Sequence, residues 1–302
     1  DVSGDYTALI RKIDSVTPHI PSLPLTNKKH KTDHVYYRQL DHNISKTDSN
    51  AILAWTEDRL NSVFSNFQNA EMEAVWPYNL FGVGKPDLAL AQRTYNNQAF
   101  PNAYDWNFDA TWAARLGLED KVANSLLYSL KHQIYGGAKM TEGFANGGDS
   151  GFGQIEMLGN MSHAIQESIV QYYAGVLRLG AGLPSTWTLQ GAAKIAGQHT
   201  VVVDFQHGSL KAAAITAGTS GSLKISNPWQ SMKVLETNGN VILTSSNREV
   251  NINLIAGKLY TIENIDEPIS ALGERSIVDQ ANTRPIVYVL SLKQHRSRRR
   301  ME

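Results

Sequence analysis

The chain has 302 residues, with 28 basic and 28 acidic side chains, 42% hydrophobic residues and no cysteine. That apolar fraction supplies one large domain or two ordinary ones. A net charge of zero provides no field for steering toward nucleic acid or an anionic membrane. The lack of cysteine excludes disulfides, thiolate metal sites and cysteine nucleophiles.

No apolar run approaches the length that spans a bilayer. The start, Asp1-Val2-Ser3-Gly4-Asp5, lacks the charged and apolar regions of a signal peptide, so a removed leader or further protein upstream is expected. Sequons at Asn43-Ile44-Ser45 and Asn160-Met161-Ser162 permit secretion.

The first half reads as helical. Leu9, Ile10 and Ile13 predict a helix over 6–13, followed by a long polar loop over 18–48 that carries Lys28, Lys29 and Lys31. Ile52, Trp55, Leu60, Val63, Phe64 and Phe67 predict a helix over 49–67. Pro86-Asp87 opens another, with proline in the first turn, where its missing N–H is harmless. Two further helices, over 105–116 and 119–131, are broken at Gly117. The second carries a stripe of Val122, Ala123, Leu126, Leu127 and Leu130. A glycine-rich loop over 136–153 leads to a last helix over 162–178, with Ile165, Ile169, Tyr172, Tyr173 and Val176 inward.

After Pro184 the period changes. Val201, Val203 and Phe205 alternate, as do Val250, Ile252 and Leu254, and both runs read as strands. Asn238-Gly239 predicts a hairpin between strands at 232–236 and 241–244, and His207-Gly208 and Ala256-Gly257 predict further corners. Helices first and strands afterwards give an α-then-β multidomain chain: a helical domain over 1–188, a small antiparallel β-sandwich over 189–265, and a poorly structured basic tail over 266–302.

The chemistry concentrates around the glycine-rich loop, where Glu142, Asp149 and Glu156 are the candidate carboxylates and Trp76, Trp106 and Trp112 the candidate sugar-stacking rings. Aromatic faces pack on the C–H surface of a pyranose, and carboxylates handle protons. The same residues also read as core rings and solvated carboxylates. No phosphate-binding loop is present, and nine histidines without paired ligand spacing give no metal site. Ser162 and His163 are adjacent, so as neighbours on a helix they point apart and cannot form a relay.

Several segments resemble the family 95 glycoside hydrolases, whose members include α-L-fucosidases and α-L-galactosidases. They are Gln154-Ile155-Glu156, Ile165 through Gln171, Gly175-Val176-Leu177-Arg178-Leu179, Gly182 through Trp187, and Trp112-Ala113-Ala114-Arg115-Leu116-Gly117. Trp55-Thr56-Glu57-Asp58 and Trp76-Pro77 are weaker echoes. The stretch 154–187 is the specific part. The resemblance implies an (α/α)₆ toroid, of which this chain holds roughly six helices as a helical half-barrel, with a closing β-domain. It implies inverting hydrolysis, in which two carboxyl groups about 6.5–9.5 Å apart flank the bond and an attacking water.

The resemblance puts the base-side carboxylate at Glu156, where the family has aspartate. The extra methylene displaces the water by about 1 Å and costs roughly 100-fold in rate. Asp105, Trp106 and Asp109 are expected to line the sugar pocket, with Glu142 and Asp149 as further pocket carboxylates. Gln68 and Glu71 stand where the family has paired histidines, and Ala54 stands where it has a glutamate. The expectations are therefore a carbohydrate-active, secreted or extracellular chain, incomplete for catalysis by itself, with a non-catalytic carbohydrate-binding or structural relative as the alternative. Its expected partner is an oligosaccharide, with no cofactor, nucleic acid or membrane. Self-association through an exposed half-barrel face is expected too.

Overall fold

The computed structural model describes residues 6–19, 22–26, 30–32, 35–37, 44–54, 69–98, 101, 108–132, 134–135, 139–140, 155–267 and 289–290. The chain divides into two compact units, Asp1–Asn66 and Phe67–Glu302.

In the first unit, helix α1 (Thr7–Val16) forms where the spacing of Leu9, Ile10 and Ile13 predicts it. Leu9, Ile10, Ile13 and Val16 are each more than half exposed, so the stripe that makes this helix amphipathic is not covered. The segment expected to be a loop carries short strands: β1 (Leu25–Thr26), β2 (His30–Thr32) and β3 (Val35–Tyr37), the last two an antiparallel pair. Strand β4 (Ile52–Leu53) pairs with β1 and opens the segment read as a helix over 49–67, most of which lies outside the described residues.

The second unit begins with a 3₁₀ turn, Ala70–Ala74, and helix α2 (Leu88–Asn96). Asp87 takes a left-handed conformation as the N-cap of α2, so Pro86 stands outside the helix instead of in its first turn. Helices α3 (Asp109–Arg115) and α4 (Glu119–His132) are separated as the glycine at 117 demands. Gly117 has φ 69°, its N–H donates to Ala114 and the Leu118 N–H to Ala113, the paired bonds of a Schellman stop. On α4, Val122 and Leu126 are buried while Leu127 and Leu130 are almost half exposed, so only part of the predicted stripe faces a partner. Short strands β5 (Ile134–Tyr135) and β6 (Lys139–Met140) pair ahead of helix α5 (Ile155–Ile169).

The last predicted helix, over 162–178, ends early. After Ile169 the chain becomes strand β7 (Val170–Tyr173), turns at Ala174 and Gly175, and returns as β8 (Val176–Leu179). Ile165, Ile169 and Tyr173 keep helical spacing, which is why the sequence reads on as helix. The local residues decide otherwise. Val170, Tyr172 and Tyr173 favour an extended chain, and the positive φ of Ala174 and Gly175 (52° and 71°) closes a two-residue hairpin.

The remaining strands are β9 (Leu189–Lys194), β10 (Thr200–Gln206), β11 (Ser209–Thr216), β12 (Gly221–Ser226), β13 (Met232–Glu236), β14 (Val241–Ser245), β15 (Glu249–Leu254), β16 (Leu259–Asn264) and β17 (Val289–Leu290). The alternating runs and the turns at His207-Gly208, Asn238-Gly239 and Ala256-Gly257 all fall where predicted. A seven-stranded antiparallel sheet runs β14-β13-β16-β11-β10-β9-β17, so two residues of the basic tail serve as an edge strand. A four-stranded sheet runs β15-β12-β8-β7 and contains one parallel pair, β12 with β8. The sandwich is thus not wholly antiparallel, and it recruits two strands that precede position 189.

The two sheets share a core. Val201, Val203, Phe205, Ala213, Ile215, Val234, Tyr260 and Ile262 lie on one face of the larger sheet, each at most 1% exposed. The Phe205 ring packs on Gly180 at the end of β8, and the Tyr260 hydroxyl accepts the N–H of Ile255, just beyond β15. The opposite face of the larger sheet buries a flatter cluster of Val202, Ala212, Ala214 and Leu259. Helices and sheets also interlock at backbone level: a Cβ on Gly182 would stand 2.6 Å from the Ala114 Cα of α3.

Candidate functional site

Helices α3 and α5 approach closely because small residues line both, Ala110, Ala113 and Ala114 on one and Ala164 and Ser168 on the other, all buried. Where they meet, Arg115 in the last turn of α3 forks onto Glu167 of α5. Its Nε donates to Oε2 and its Nη2 donates to Oε1 at 3.1 Å. The third guanidinium nitrogen, Nη1, donates to Asn79 Oδ1 at 2.6 Å. Both side chains are only 6% exposed. Burial pushes the Glu167 carboxyl above the usual carboxylate range, and the charge and hydrogen bonds of Arg115 oppose that rise. The bidentate fork is the geometry an ionised carboxylate offers a guanidinium.

One turn earlier on α5, His163 Nε2 lies 3.5 Å from Glu167 Oε1, and its Nδ1 lies 3.3 Å from the Thr111 hydroxyl. Burial and the nearby Arg115 charge lower its pKa to about 4, so the ring is neutral near pH 7. Assigned from these contacts, the tautomer carries its proton on Nε2, toward Glu167, and accepts the Thr111 hydroxyl at Nδ1.

The His163 ring packs on Trp76 at 4.9 Å between centroids, Trp76 on Phe108 at 4.6 Å, and Phe108 on Trp112 at 6.0 Å. Trp112 is buried and donates its indole N–H to the Trp76 carbonyl at 3.2 Å, which fixes the turn carrying Trp76 and its cis bond to Pro77. Trp76, Phe108 and His163 remain half-buried. The result is an uncharged aromatic surface laid over a buried ion pair. Such a surface stacks on the apolar face of a sugar ring.

Thr111, His163 and Glu167 fall in the order of a hydroxyl–imidazole–carboxylate relay. Thr111 is fully buried and both Glu167 oxygens accept from Arg115, so no substrate reaches the hydroxyl and the carboxylate is already committed.

Position 156 lies in the first turn of α5, seven residues before His163 and therefore on the same side of the helix, about 10 Å along its axis; its side chain lies outside the described residues. Asp105, Trp106, Glu142 and Asp149 also lie outside them. Asp109, in the first turn of α3, is 1% exposed and accepts the Gln98 amide at 2.9 Å. Burial and the Asp109 charge raise the Tyr95 hydroxyl pKa far above its ordinary value. Asp109 thus sits among inner polar groups. Glu71 is likewise buried. Among the described residues no grouping of three or more His, Asp or Glu has the arrangement of a metal site.

Arg115 and Glu167 lie within the segments that resemble glycoside hydrolases, and His163 directly follows Ser162, with which it forms no relay. The usable signal was the i, i+4 spacing of His163 and Glu167, which puts both on one helix face.

No family model and no curated protein sequence matches the chain. Among solved structures, the chain has a likeness to a GH127 β-L-arabinofuranosidase from Geobacillus stearothermophilus, with a TM-score of 0.26 and 9% identity. The likeness covers 58% of this chain and 30% of that enzyme. A TM-score of that size is too low to bear on function.

Proposed function

We propose that the chain is carbohydrate-active, of glycoside hydrolase type, and acts on an oligosaccharide outside the cell. The carrying observation is the half-buried surface of Trp76, Phe108 and His163, which lies beside the helix that bears position 156 two turns earlier. In this reading Glu156 is the base-side carboxylate of an inverting reaction on an α-L-fucoside or α-galactoside. Asp105, Trp106, Glu142 and Asp149 contribute the rest of the pocket, while Asp109 is buried on Gln98. The aromatic surface holds the apolar face of the sugar, and the Arg115–Glu167 pair keeps that surface rigid.

A second reading is a protein that binds glycans without cleaving them. It is favoured by the commitment of the cluster's own polar groups: His163 Nδ1 meets the Thr111 hydroxyl and Glu167 is held by Arg115.

The test is glycan binding by calorimetry, run alongside hydrolysis of aryl α-L-fucoside and aryl α-galactoside. Trp76→Ala is expected to weaken binding by roughly tenfold, the worth of one aromatic stacking contact. Turnover that Glu156→Gln abolishes supports the hydrolase. Binding without turnover supports the second reading, and the absence of any glycan binding rejects both.

A further inference from the structure

Tyr173, at the end of β7, has two guanidiniums over its ring. The Cζ of Arg115 lies 4.3 Å from the ring centroid and that of Arg178 lies 4.2 Å from it. Arg178 is pinned within its own hairpin, Nη1 donating to the carbonyls of Tyr173 at 3.2 Å and Val176 at 3.1 Å. The Tyr173 hydroxyl donates to the Val83 carbonyl at 2.7 Å.

The loop through residues 82–84 closes over this stack with no room to spare. A Cβ on Gly82 would stand 2.5 Å from the Tyr173 hydroxyl oxygen, and one on Gly84 would stand 3.1 Å from Arg178 Nη2. The ring is therefore fixed on its edge by the loop and stacked by Arg178. It is also the wall against which Arg115 lies. Arg115 in turn spends all three guanidinium nitrogens on Glu167 and Asn79. A cation held against the negative face of a ring is attracted electrostatically as well as packed.

We propose that Tyr173 is a positioning residue, whose ring holds Arg115 in its fork on Glu167 and through Glu167 fixes His163 within the aromatic surface. The proposal rests on that surface being a ligand site, but its test does not need a ligand. A ring that merely fills space would be served equally by any ring of the same size. A ring that acts through its electrons would not.

The test uses the full chain with ¹⁵N-arginine, following hydrogen exchange at the Arg115 Nε–H. Tyr173→Phe keeps the face and is expected to preserve protection within about twofold, while Tyr173→Leu is expected to lose at least about tenfold. Mono- and trifluorinated phenylalanine at position 173 keep the shape while withdrawing electron density. Exchange should quicken stepwise along that series, with the sheet amides of Val202 and Val203 unchanged. If Tyr173→Leu does not fold, the fluorinated series carries the test alone. A flat response to fluorination overturns the proposal, as does a loss in Tyr173→Phe equal to that in Tyr173→Leu. Titrating the unsubstituted protein with glycans in the same spectra separates the two ideas: a silent titration defeats the carbohydrate reading and leaves the exchange result standing.

Discussion

Arg115 and Glu167 each surrender nearly all their water, and the fork between them is what makes that burial tolerable. Glu167→Gln leaves the guanidinium buried against a neutral amide and is expected to destabilise the fold by about 3 kcal/mol in urea unfolding. The pair replacement Arg115→Met with Glu167→Leu should recover most of that loss, because no buried charge is then stranded. His163 carries a pH signature. Its folded pKa, about 4, lies below the unfolded value of 6.5, so the unfolded chain takes up the proton first. Its contribution to stability is complete above pH 6.5 and is lost as pH falls through about 4. Since the side chain is 30% exposed, solvent screening reduces the effect to about 1–2 kcal/mol. Stability measured between pH 7 and 4 should fall less steeply in His163→Gln. The part that persists includes His199, whose pKa burial also lowers.

Among the elements, the β7–β8 hairpin links the helices to the sheets. It carries Tyr173 to Arg115 of α3, places β8 beside β12, and feeds directly into Gly182 against the α3 backbone. Gly182→Ala forces a methyl into the Ala114 backbone, which no rotamer change relieves. It is expected to lower stability by about 2–3 kcal/mol, seen as a lower midpoint with unchanged slope in denaturant unfolding. By contrast, a Cβ at Gly159 on α5 meets nothing within 4 Å, so Gly159→Ala should be neutral or slightly stabilising through helix propensity. The hairpin also explains why 162–178 reads as one helix in the sequence. Periodicity averages over a window and cannot see that Ala174 and Gly175 reverse the chain within it.

For the whole molecule, the sheets and helices from Phe67 onward form one compact unit. A fragment beginning at 67 should therefore unfold in a single cooperative transition. One beginning at 189 lacks β7 and β8, leaves β12 without a parallel neighbour, and loses Leu177 and Leu179 from the core. It should give a broad melt by circular dichroism, and a sharp transition would show that the β7–β8 hairpin is dispensable to the sandwich. Leu9, Ile10, Ile13 and Val16 of α1, and separately Leu127, Tyr128 and Leu130 of α4, are exposed apolar residues.

Residue order alone determined the elements whose signals are local. The helices at α1, α3 and α4, the stop at Gly117, and the strands and turns from 189 to 265 arise from periodicity and from the few residues that tolerate a positive φ. The α-then-β order was legible for the same reason. What only the tertiary structure decided was which distant residues meet. Arg115 and Glu167 stand 52 positions apart, and Trp76 lies 87 before His163. Their pairing depends on small residues letting α3 and α5 approach, and on a hairpin and loop closing behind them. Periodicity tells which face of an element is apolar, but packing alone chooses the element that covers it.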